Sequence, residues 1–102
     1  MRSPIPVFVI DGHDIELYSD AASAAREIEG YDVSQMDVIG ADGTVYEAVV
    51  EGPEWGPVSL RDTGRNGIPH LVRLLRAEAA ARSASLPADL PDEPTAIWKV
   101  VE

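Results

Sequence analysis

The sequence has no cysteine, and that one absence removes disulfides, thiolate metal ligands and cysteine nucleophiles together. It suits a reducing compartment, and a cytoplasmic location is expected. Long apolar runs are missing too. The run near the N-terminus, Ile5 to Ile10, is interrupted by Pro6 and ends at Asp11-Gly12 without a cleavage-like site, so no signal peptide is read there. Nothing approaches the roughly 20 apolar residues of a membrane span. Lysine is nearly absent, one against seven arginines, while alanine is abundant; a GC-rich genome produces that bias, and it carries no function. With 102 residues and 45% hydrophobic content, one domain (1–102) with one core is expected.

What the protein has in excess is negative charge. Its formal net charge is -10, and the excess is localised: residues 1 to 60 hold twelve Asp or Glu against Arg2 and Arg26, whereas residues 61 to 102 hold six acids and six bases. A field of that sign repels nucleic acid phosphates and draws cationic surfaces. Direct DNA or RNA binding is therefore not expected, and a basic protein partner is. The competing reading is that the acids only solvate one face.

Val7-Phe8-Val9-Ile10, the turn Asp11-Gly12 and the run Ile15 to Tyr18 predict a β-hairpin. Ser19 is placed as the N-cap of a short helix in which Ala21, Ala24, Ala25 and Ile28 recur at helical spacing before Gly30. Strands over Asp37 to Gly40 and Thr44 to Glu51 are joined through Asp42-Gly43, a dipeptide suited to a tight hairpin turn. Val58 to Arg61 is a return strand. Pro69 in an opening turn, with Ile68, Leu71, Val72, Leu75 and Ala79 in a stripe, predicts a second helix whose other side carries Arg73, Arg76 and Arg82. Residues 83–94, with Pro87, Pro91 and Pro94, read as an extended strap leading to a final strand over Thr95 to Glu102. The expected fold is α+β: a two-layer sandwich of a mostly antiparallel sheet, five to six strands, with two helices on one face.

No motif spells out a reaction. Asp11-Gly12-His13-Asp14-Ile15-Glu16 is dense in metal-capable side chains, but alternate strand residues point to opposite faces, and the only other histidine is His70. The cluster reads as a solvated hairpin tip, with no metal and no cofactor. His70 in the first turn of a helix reads as structural, since the dipole there disfavours its charged form. Ser34 and Ser59 lack a partnered base, and Asp62 to Gly67 lacks the lysine and spacing of a P-loop. No catalytic residue is assigned; a small hydrolase is the remote alternative.

The remaining feature is Trp55, set between Gly52-Pro53 and Gly56-Pro57 and beside Glu54. As a plug it would cover the open end of the sheet. As a handle, a stiff aromatic flanked by acids loses little entropy on docking, and tryptophan is enriched at interface hot spots. Trp55, Glu54, Glu51 and Asp42 are the candidate partner-binding residues, expected as neighbours at one edge of the binding surface.

The run Leu17-Tyr18-Ser19, Ala24-Ala25, Ile28-Glu29, Asp32-Val33 and Asp42-Gly43-Thr44-Val45-Tyr46 resembles small acidic proteins of high-GC bacteria that are similar to immunity proteins of polymorphic toxin systems. The resemblance covers residues 15 to 50 and implies a non-enzymatic inhibitor of a basic toxin or nuclease; it assigns no binding residues. The alternative is a structural or assembly domain that homodimerises through a sheet edge.

Overall fold

The computed structural model describes residues 5–12, 14–28, 36–52 and 56–102. Among the described residues five strands form one sheet: β1 (Val7–Asp11), β2 (Asp14–Tyr18), β3 (Asp37–Gly40), β4 (Thr44–Val50) and β5 (Val58–Asn66). Helix α1 (Ala21–Glu27) lies between β2 and β3, and helices α2 (Ile68–Ala81) and α3 (Pro94–Val101) follow β5. The strand order is β2-β1-β3-β4-β5, and every neighbouring pair is antiparallel. The fold is α+β, as its alternating strands and two amphipathic runs require.

Side-chain alternation divides the core in two. Phe8, Ile10, Ile15 and Ile39 point to one face, where they pack against Leu71, Val72, Leu75 and Ala79 of α2 and Ile97, Trp98 and Val101 of α3. Val7, Val9 and Val38 point to the other, against Ala24 and Ile28. The two helices expected on one face therefore sit on opposite faces. The reason is in β1: Val7 to Ile10 is buried at every position, so this strand needs cover on both sides. Ala21 and Ala24 are small enough to let α1 lie close, and it touches β1, β2 and β5.

The C-terminal segment corrects the expected last strand. Alternation would put Ile97, Lys99 and Val101 on one face, but Lys99 is exposed while Ile97, Trp98 and Val101 are buried. That spacing, i, i+1, i+4, is one face of a helix, and Pro94 in the first turn presets its entry. Trp98 meets Phe8 edge to face, with ring centroids 6.0 Å apart at 88°. The α1 N-cap is Asp20, one residue past Ser19, its carboxylate accepting from the Ser23 N–H at 2.7 Å. That bond holds the Asp20 carboxyl below its ordinary range.

The α2 stripe is as the spacing predicts, with Ile68 half-buried at its start. Its cations are not a free basic surface. Arg73 is exposed, but Arg76 pairs with Asp92 from the strap at 2.5 Å, and Arg82 pairs with Glu78 and lies 5.7 Å over the Trp98 ring. β5 runs five residues beyond the expected Arg61, because a bulge over Thr63 to Arg65 carries it past Gly64 at φ 77° to pair Asn66 with Thr44. Gly67 then starts α2 against the sheet, where a Cβ would lie 2.7 Å from Val45 and 3.0 Å from Ile39.

Candidate functional site

Trp55 and Glu54 lie outside the described residues, as does His13. Glu51 is exposed just past β4, its N–H donating to the Pro57 carbonyl at 2.9 Å. Asp42 sits before the other end of β4, roughly 25 Å away at about 3.4 Å per strand residue. Its carboxylate accepts from both the N–H and the hydroxyl of Thr44, each at 3.0 Å. Asp42 is thus a turn-forming residue and not a neighbour of Glu51.

The densest unneutralised acid lies elsewhere, beside the first hairpin. Register sets Val9 opposite Glu16, Asp11 opposite Asp14 and Val7 opposite Tyr18, so these residues share the face that α1 covers. Glu27 and Ile28 close that side from the end of α1, and Met36 leads into β3. The result is an open groove of about 330 Å³ with Val9, Ile28 and Met36 as apolar floor and Asp11, Asp14, Glu16 and Glu27 at the rim. The Tyr18 hydroxyl donates to Glu16 Oε2. Its pKa is pushed up to about 12, first by burial, then by that hydrogen bond and by the negative fields of Glu16 and Glu27.

Several acids elsewhere have partners. Glu47 pairs with Arg61, Asp92 with Arg76 and Glu78 with Arg82; Asp20 and Asp62 accept from backbone N–H groups. Among the described residues no Arg, Lys or His forms an ion pair with Asp11, Asp14, Glu16 or Glu27. Among the described residues no three acids or histidines converge as a metal would need. Topology also brings Glu51 to this end of the sheet: the Asp11 end of β1 lies by the Asp37 end of β3, and β4 runs past that end to Val50.

A second cleft, of about 340 Å³, is lined by Asp37, Tyr46, Arg65, Asn66 and His70 at the start of α2. His70 Nε2 lies 3.5 Å from Asp37 Oδ2, both half-exposed. Burial first, then Asp42 and Asp62, raise the Tyr46 pKa. Among the described residues no serine or threonine lines this cleft, and the hydroxyl it contains is that of Tyr46.

The groove is within reach of the sequence. Residues 9 and 11, and 14, 16 and 18, share a face by the two-residue period of strands; what hides it is the placement of α1, which supplies Glu27 and Ile28. Comparison of the sequence with protein-family models and curated proteins, and of the fold with solved structures, gives no match.

Proposed function

We propose that this protein is a non-enzymatic, acidic protein-binding module that inhibits a basic partner, in the manner of an immunity protein against a cationic toxin or nuclease in the bacterial cytoplasm. The observation that carries it is the groove of four carboxylates, none in an ion pair among the described residues, over an apolar floor. A lysine or arginine residue matches that pairing, with its aliphatic stem on Val9, Ile28 and Met36 and its cationic head at the rim. Glu51 stands at the same end of the sheet, and Trp55 and Glu54 are proposed to meet the partner there. The acids would take the place of nucleic acid phosphates on a nuclease. Among the described residues no helix is long and apolar enough to cross a membrane.

The second reading, self-association through a sheet edge, is favoured by the nine-residue edge strand β5. Against it stand Arg61, Asp62 and Arg65 on that strand and its bulge at Gly64, devices that discourage strand addition.

Affinity capture from native lysate tests the proposal, with wild-type protein and a Glu16→Lys/Glu27→Lys variant as paired baits. A basic protein held by the first and lost by the second is the expected result. Identical captures by both baits, or recovery of further copies of the protein alone, would rule the groove out as the docking site.

A further inference from the structure

The sequence has a single asparagine, Asn66, and it precedes a glycine. Asn-Gly is the dipeptide most prone to deamidation, because glycine offers nothing beyond Cα to shield its backbone nitrogen. The Gly67 nitrogen loses its proton and attacks Asn66 Cγ, the Cγ–Nδ2 bond breaks, and the amide leaves as ammonia. Water then opens the resulting succinimide at one of its two carbonyls, giving aspartate or isoaspartate. Water is the only co-reactant.

Local geometry opposes each step. The Gly67 N–H donates to the Gly43 carbonyl at 2.7 Å, which holds the proton that must leave. Asn66 Oδ1 accepts from the Ile68 N–H at 3.1 Å, which turns the amide group toward the start of α2. Gly67 is buried between Val45 and Ile39, so neither strand nor helix can shift alone to free the nitrogen. The exposed Asn66 amide is therefore open to water, while its attacking partner is locked.

We infer that Asn66 is a deamidation site gated by the β5–α2 joint, reacting only in molecules whose joint has opened. The two products differ. Aspartate retains an acceptor for the Ile68 N–H, beside a helix N-terminus that favours negative charge. Isoaspartate inserts a methylene into the backbone where Asn66 must pair with Thr44 and Gly67 with Gly43. The joint cannot reclose on it, and conversion becomes one-way loss of the native fold at this point.

The full-length protein is incubated folded in buffer and unfolded in concentrated urea, and Asn66 conversion is followed by peptide mapping, with Asn66→Ser, which has no amide to lose and keeps an acceptor for the Ile68 N–H, as the unconvertible control. The folded protein should convert at least about tenfold more slowly, the lag that an opening free energy of about 1.4 kcal/mol gives. Equal rates would overturn the gate. In sub-denaturing urea, conversion and hydrogen exchange at the Gly67 amide should rise together with one slope; exchange that rises while conversion stays flat would also overturn it. Gly43→Ala, strained at φ 96° and directed into Asn66 Oδ1 at 2.6 Å, should accelerate conversion, and where that variant does not fold the urea series decides alone.

Discussion

Asp14→Asn should stabilise the protein. In the β1–β2 register Asp14 stands directly opposite Asp11, a like-charged cross-strand pair with no cation among the described residues to relieve it. Two such charges about 5 Å apart in water repel by roughly 0.8 kcal/mol, within the range of cross-strand pair energies. Asparagine keeps the size and shape and removes the charge, so a gain of about 0.5 to 1 kcal/mol is expected, or about 2 to 6 °C in melting temperature for a domain of this size. Glu16 and Glu27 on the same groove add to the sum at low salt. Thermal melts in about 0.01 M and about 1 M salt separate charge from packing, since the screening length falls from roughly 30 Å to roughly 3 Å between them. The gain should be largest at low salt and nearly gone at high salt. A loss of stability, or a gain indifferent to salt, would refute the claim that the groove holds mutually repelling carboxylates.

Leu71 is fully buried on α2, so Leu71→Ala should cost about 3 to 4 kcal/mol in urea denaturation, whereas Arg73→Ala, on the exposed side, should change stability by less than about 0.5 kcal/mol. The reverse order would mean the helix is rotated. Tyr18 ionises near 10 when unfolded and near 12 when folded. The folded state thus holds its proton longer, so stability is full below about pH 10 and falls as pH rises toward 12; Tyr18→Phe should flatten part of that alkaline loss, and an unchanged profile would contradict it. Trp98→Phe isolates Trp55 emission from that of the buried Trp98: a red, quenchable signal is expected, and Trp55→Ala should leave the melt nearly unchanged while weakening partner binding by about 2 kcal/mol. A blue, quencher-resistant signal with a large loss of stability would make Trp55 a plug.

The first hairpin and α2 are legible because their signals are local: Val7 to Ile10 is a run of strand formers, Ile15 to Tyr18 follows it across a glycine turn, and Ile68 to Ala79 repeats at helical spacing. The last segment is not. Ile97, Trp98, Val100 and Val101 are four apolar residues in five, a density that fits either period, and only the outward Lys99 separates them. The side of the sheet that α1 takes depends on how the sheet is covered after β1 is buried on both faces, a tertiary requirement that no local window contains. Asp42 groups with Glu51 in a linear reading because both flank β4. A strand extends by more than 3 Å per residue, so its two flanks are the most widely separated residues it has. The groove escapes a local reading for a related reason. Asp11, Asp14 and Glu16 look like a hairpin tip in isolation, and acquire a floor and a wall only when Ile28, Glu27 and Met36 arrive from beyond β2.

The central claim is that the carboxylate groove receives a cationic protein surface, and its most direct test is the association rate constant of the purified pair as a function of ionic strength. For wild type the rate should fall steeply between low and physiological salt, as electrostatically steered encounters do, and the Glu16→Lys/Glu27→Lys variant should associate slowly with little salt dependence while its melting temperature is no lower than that of wild type. A wild-type rate indifferent to salt, or the same salt slope in both proteins, would contradict it.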